Sequence, residues 1–274
     1  MTTHTTNAET HGDCVPEGVA EYYTALDEAR FEDAVDCFSE NVLYAAPAPG
    51  VIETGSRHES VGRDALRARF EARGASPRAH EILLCVVAGP TCLVEGLSRA
   101  TPPGEASLSF VASMELDGAG LIARYLAYAT SPPVVPLPRD VAAGATSPGD
   151  AAEVLDRYFH ALDRGAFEEA AACFSESVLY SHPPYRHTGI DSNQRVEFRG
   201  RAELLAKFGG RGPQTFDHRL LACIQRGPHC MVEGLVEGLP EGGSGSFISS
   251  LTLDGRGLIG RYLSFYCEPS VRVA

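Results

Sequence analysis

Three blocks of the 274-residue sequence occur twice, almost letter for letter. Cys37-Phe38-Ser39-Glu40-x-Val42-Leu43-Tyr44 returns as Cys173-Phe174-Ser175-Glu176-x-Val178-Leu179-Tyr180. Gly89-Pro90-x-Cys92-x-Val94-Glu95-Gly96 returns as Gly227-Pro228-x-Cys230-x-Val232-Glu233-Gly234. Leu116-Asp117-Gly118-x-Gly120-Leu121-Ile122-x-Arg124-Tyr125-Leu126 returns from Leu253 to Leu263. The offsets run from 136 to 138 residues. A period that long means duplicated domains instead of a solenoid of short repeats. With 44% hydrophobic and 22% charged residues, the chain can bury two cores without staples.

The expected layout is a disordered tail over 1–13, a first domain over 14–131, a Pro-rich linker over 132–147 and a second domain over 148–270. The tail has neither a basic nor an apolar leader region, and no apolar run reaches the roughly 18 to 20 residues of a membrane span. A cytoplasmic protein without a membrane partner is therefore expected. The net charge of −13 and the absence of a Lys/Arg run argue against nucleic acid. Six of the eight cysteines pair off between the copies inside apolar stretches, where a thiol behaves as a small hydrophobe. Without a C-x-x-C or finger spacing, neither disulfide nor zinc is expected.

Each copy reads as helices followed by strands. Leu155, Tyr158, Phe159 and Leu162 keep the i, i+3, i+4, i+7 spacing of one helix face, as do Val19, Tyr22, Tyr23 and Leu26. Gly165 supplies a left-handed helix stop. A second helix is predicted over 167–174, a strand over 178–182 and a third helix over 201–208. Four strands are predicted over 217–225, 229–239, 245–254 and 258–268, separated by Gly/Pro turns. This is an α+β domain with helices on one face of a curved, mainly antiparallel sheet, and the space between the layers is the natural ligand site.

The run Arg157-Tyr158-x-x-Ala161-Leu162-x-x-Gly165, then Phe174-Ser175-Glu176-x-x-x-Tyr180-x-His182-Pro183, Gly200-Arg201 and Leu253-Asp254-Gly255-x-Gly257-x-Ile259 resembles ketosteroid isomerase and SnoaL-like proteins, the nuclear transport factor 2-like superfamily. The resemblance implies a cone-shaped fold and a cofactor-independent isomerase, cyclase or dehydratase acting on a small, apolar, oxygenated, polyketide-like metabolite. It equally admits a non-catalytic binder or an epoxide hydrolase, because one fold hosts many functions. In ketosteroid isomerase an Asp base cooperates with a Tyr and a protonated Asp. By motif, that Tyr falls on Tyr158 and Tyr22. The base position falls on His182 in the second copy and on Ala46 in the first. The protonated-Asp position falls near Ser249 and Ala112.

The candidate catalytic residues are thus His182, as general base, and Tyr158, as hydrogen-bond donor to a developing enolate. Tyr180, Tyr185, His187, His218 and Ser249 are candidate ligand contacts. Each has a plainer reading beside it. His182 can be a solvated turn residue, Tyr158 and Tyr180 core packing, Tyr185 and His187 an exposed loop. His218, which recurs as His80, can be a structural hydrogen bond. His160 is on the solvent side of its helix. His182, His187 and His218 lack a pre-organising H-x-H or i, i+4 spacing, so no metal is expected. No Walker loop, G-x-G-x-x-G or G-x-S-x-G is present, so no cofactor is expected. The first copy is expected to have lost the chemistry. The two copies are expected to associate as an intramolecular pseudo-dimer, with further oligomerisation left open.

Overall fold

The computed structural model describes residues 6–7, 15–47, 57–101, 107–130, 149–182, 195–210, 215–239 and 243–267. In the first copy the elements are α1 (Glu17–Asp27), α2 (Phe31–Asp36), β2 (Phe38–Pro47), β3 (Arg57–Val61), α3 (Arg63–Arg73), β4 (Arg78–Ala88), β5 (Thr91–Ala100), β6 (Leu108–Leu116) and β7 (Ile122–Thr130). The second copy repeats them as α4 (Ala151–Asp163), α5 (Phe167–Ala172), β8 (Phe174–His182), β9 (Val196–Arg199), α6 (Arg201–Gly209), β10 (Asp217–Arg226), β11 (His229–Leu239), β12 (Gly243–Leu253) and β13 (Ile259–Cys267). A two-residue strand, β1 (Thr6–Asn7), runs parallel to β10 and belongs to the second compact unit. Those two residues lie within the segment expected to be a disordered tail.

Each copy is an α+β domain whose three helices lie against one face of a curved sheet. The first sheet runs β3-β2-β7-β6-β5-β4 and the second runs β1-β10-β11-β12-β13-β8-β9. Within each domain's own strands every neighbouring pair is antiparallel except one, β2 with β7 and β8 with β13. That parallel pair places the first long strand one position in from the edge formed by β3 or β9. The hairpin returns β3 and β9 are not among the strands predicted from the sequence. β9 is four residues long, and its only signal is the alternation Val196, Phe198.

Helix α4 begins at Asp150, whose carboxylate accepts hydrogen bonds from the amides of Ala152 and Glu153, a conventional cap. It ends where Gly165 takes φ 75°, as predicted. The first copy makes the same left-handed stop with Ala29, at φ 56°, a conformation that costs a non-glycine residue about 1–2 kcal/mol. The helix faces predicted by periodicity are the buried ones. Val19, Tyr22, Tyr23 and Leu26 fill one core and Leu155, Tyr158, Phe159 and Leu162 the other.

A bulge in the first hairpin of each meander decides what faces the helices. The register of β10 on β11 shifts between Leu220 and Ala222, and that of β4 on β5 between Ile82 and Leu84. His218 and Cys223 are five residues apart and would point to opposite faces of a regular strand. The extra residue turns both inward. Opposite the bulge, Gly234 has no room for a side chain. A Cβ there would meet the Phe247 ring at 2.3 Å and the Arg219 carbonyl at 2.8 Å, and Gly96 is pressed in the same way by Phe110.

Candidate functional site

The second copy encloses a cavity between α4 and the inner face of its sheet. Its walls include Tyr158 and Phe159 from α4, Tyr180 and His182 from β8, His218 from β10, and Ser264 and Tyr266 from β13. It holds about 370 Å³ of empty space with its open mouth included, but its closed cavity volume is about 20 Å³. The closed part thus has room for little more than one water molecule.

Tyr158 is in this wall because it is one turn along the apolar stripe of α4 from Leu155. Tyr180 and His182 share a face of β8 by alternation. The Tyr158 and Tyr180 hydroxyls lie 3.0 Å apart. One proton lies between these oxygens, and either tyrosine can supply it. The Tyr180 ring stacks on Tyr262, with centroids 5.0 Å apart and planes at 18°. The His182 ring sits edge-on to Tyr180 at 5.6 Å and beside Phe198 at 6.4 Å. His182 is the last residue of β8, paired with Val196 of β9, and only 2% of it is exposed. The solvated-turn reading of His182 is therefore excluded. It is a buried imidazole in a cavity wall, on the strand paired with β9, which is illegible in the sequence.

His218 holds a second imidazole in the same wall. Its Nδ1 lies 2.5 Å from Oδ1 of Asp163, while its backbone amide donates to Oδ2 of the same carboxylate at 2.9 Å. An ionised carboxylate only accepts hydrogen bonds, so Nδ1 carries a proton, and in the neutral ring Nε2 carries the lone pair. Phe159 stacks on the ring at 4.6 Å. The recurrence of the histidine suggested a structural hydrogen bond, and that bond is present in both copies. His80 binds Asp27 with the same two contacts, at 2.5 and 2.6 Å. Sequence reasoning missed the aspartates. Both are the last residues of their helices, and their joint recurrence with the histidines was the available signal.

Ser249 does not line the cavity. Fully buried, its hydroxyl lies 3.1 Å from both the Tyr262 hydroxyl, to which it donates its one proton, and Ser264 Oγ, its cross-strand neighbour, and so it stands beside the wall. Tyr266 reaches the wall over Gly245, where a Cβ would meet its ring at 2.3 Å. Tyr185 and His187 lie outside the described residues. His160 is exposed, as its helix position requires. Among the described residues no three His, Cys, Asp or Glu side chains cluster as metal ligands, and no helix is long and apolar enough to cross a membrane.

In the first copy the aromatic cluster closes on itself. The hydroxyls of Tyr22 and Tyr44 are 3.3 Å apart, and those of Tyr23 and Tyr125 are 3.2 Å apart. Burial first, then the neighbouring phenols, raises the pKa of Tyr22 and Tyr23 well above the usual phenol value, and burial raises that of Tyr125. The imidazole position of the second copy is held here by Ala46, buried in the core.

The model of the family described as "SnoaL-like domain" matches the chain twice, over residues 19–125 and 155–259. No curated protein matches it. Similar solved structures include an NTF-2 like protein of unknown function from Burkholderia xenovorans LB400, 18% identical over 44% of this chain and 85% of that one, with a TM-score of 0.35. A candidate ketosteroid isomerase from Kribbella flavida DSM 17836 is 24% identical over 44% and 81%, at 0.33. A candidate polyketide cyclase from Sinorhizobium meliloti is 22% identical over 41% and 94%, also at 0.33.

Proposed function

The chain belongs to the SnoaL-like domain family, two of whose domains it carries, and on that premise we propose that its second copy moves a proton on a small, apolar, oxygenated metabolite without a cofactor. One observation carries this reading: His182 and Tyr158 are buried in the wall of one cavity, and because its closed part holds about one water, a metabolite bound there must displace the side chains at its mouth. A neutral imidazole is a suitable base for a C–H next to a carbonyl. As the proton passes to His182, the C–H electron pair moves into the carbonyl and charge develops on oxygen, toward which the Tyr158–Tyr180 pair donates a hydrogen bond. Returning the proton to another carbon gives an isomerase. Expelling a β-hydroxyl gives a dehydratase, and attack by the enolate carbon on a second carbonyl gives a cyclase. Tyr185 and His187 are further candidate ligand contacts in this reading.

A non-catalytic binding protein is the second reading. It is favoured by the Asp–His and Tyr–Tyr pairs of the first copy, which persist there without an imidazole at position 46. The two readings separate on a metabolite captured from native extract by the full chain. His182→Ala is expected to lower kcat by about 10² to 10⁴, the usual contribution of a positioned base. The wild-type rate is expected to fall on acidification, since a protonated imidazole has no lone pair to accept with. Stoichiometric binding with no turnover by the wild type selects the binding reading.

A further inference from the structure

In each copy two cysteines meet across neighbouring strands. The sulfurs of Cys85 on β4 and Cys92 on β5 are 3.6 Å apart. Those of Cys223 on β10 and Cys230 on β11 are 3.4 Å apart. All four are free thiols. Cys85 opposes Val94 while Val87 opposes Cys92, so the pair is diagonal on the inner face, and the register of Cys223 and Cys230 is the same. The bulges described above turn Cys85 and Cys223 inward. The tight turns at Gly89-Pro90 and Gly227-Pro228 hold each hairpin so that the sulfurs cannot slide past one another. Each pair is also asymmetric. Cys92 and Cys230 are wholly buried, whereas Cys85 and Cys223 are half-buried.

We propose that each pair is a dithiol site at which a small peroxide forms an intramolecular disulfide. The half-buried thiol enters the reaction first, as a thiolate. Its sulfur attacks the nearer peroxide oxygen, the O–O bond breaks, and an alcohol or water leaves, giving a sulfenic acid. The buried partner's sulfur then attacks that sulfur, the S–O bond breaks, and water leaves. Two thiols and one peroxide become one disulfide, one alcohol or water and one further water. The sulfurs must close to about 2.05 Å, a movement of the size that small χ1 rotations supply.

In the first copy the electrostatics agree with this order. The hydrogen bond from Cys92 lowers the pKa of Cys85, while that same bond and burial raise the pKa of Cys92. Burial likewise holds the Cys230 thiol protonated. Cys37 and Cys173 provide internal controls. Cys37 donates to the Asp33 carbonyl, and burial pushes its pKa up to about 11. Cys173 donates to the Glu169 carbonyl. The staple would pin β10 to β11, the hairpin that carries His218 into the cavity wall.

The test uses the reduced full chain, stoichiometric hydrogen peroxide or an alkyl hydroperoxide, then alkylation under denaturing conditions and peptide mapping. A mass loss of about 4 Da before alkylation is expected, two hydrogens for each disulfide. Cys85–Cys92 and Cys223–Cys230 should appear as cross-linked peptides, and a dithiol reductant should reverse both. Cys85→Ser should abolish the first cross-link and leave the second, with Cys223→Ser doing the converse, so each variant carries its own folding control in the other copy. Sulfinic acid at these positions without a cross-link, disulfides to other cysteines, or full alkylation of Cys92 and Cys230 would each overturn the proposal.

Discussion

The two copies share a scaffold and differ at the wall of the space it encloses. Both pair a helix tyrosine with a strand tyrosine, Tyr22 with Tyr44 and Tyr158 with Tyr180. Both lock a strand histidine to the last aspartate of their first helix. Both press a phenylalanine over a glycine. Yet where the second copy places His182, Ser249, Ser264 and Tyr266, the matching positions of the first are Ala46, Ala112, Ala127 and Ala129, as strand register shows for the last three. The hydroxyl shared with the β13 or β7 tyrosine changes sides accordingly. Tyr262 accepts from Ser249 in its own sheet, whereas Tyr125 pairs with Tyr23 on the helix. Tyr266 also has its compensation: the neighbouring strand offers Gly245 beneath it, where the first copy has Leu108 beside Ala129. What recurs is therefore packing and clamping. Polar groups able to do chemistry are concentrated in one copy.

That contrast is open to attack at three points. The largest effect is expected from the phenols. Tyr158→Phe should lower turnover by about 10², the cost of one oxyanion donor. Tyr22→Phe should leave turnover unchanged while removing an equivalent hydrogen bond from its core. Equal losses in kcat from both substitutions would erase the distinction between the copies.

Next come the histidine clamps, where the copies should behave alike. His218→Ala and His80→Ala each remove a hydrogen bond to a charged carboxylate, worth roughly 1.5–3 kcal/mol. Chemical denaturation should show losses of similar size. A loss of turnover for His218→Ala beyond its loss of stability would make this histidine part of the chemistry as well as the scaffold.

The smallest expected effect is of opposite sign. Ala29→Gly should stabilise the first copy by about 0.5–1 kcal/mol, because glycine takes the left-handed conformation without the Cβ penalty, offset partly by its greater freedom when unfolded. Gly165→Ala should destabilise the second copy by a similar amount. Thermal unfolding that moves the other way would mean the two helix stops differ in more than the residue they use.

Much of the fold was legible because its signals are local. The helix faces, the stop at Gly165 and the hairpin turns follow from spacing and turn chemistry within a few residues. The position of His182 and Tyr158 on one cavity followed from motif order and strand alternation. What stayed hidden depends on distant partners. Asp163 meets His218 across 55 residues, and a helix-end aspartate alone reads as a solvated charge. Ser249 alternates correctly to face inward, but it is the β13 residues beside it, Tyr262 and Ser264, that line the cavity. The bulge that turns both His218 and Cys223 inward breaks the period-two rule on which strand faces are read.

The central claim is that an imidazole in the second copy's cavity accepts a proton from the bound metabolite. His182→Ala removes that imidazole, and free imidazole added to the variant is the most direct probe. Turnover should rise with imidazole concentration and then saturate, with no response in the wild type, because the small base fills the space left in the wall. Wild-type turnover by His182→Ala without any imidazole would contradict the assignment.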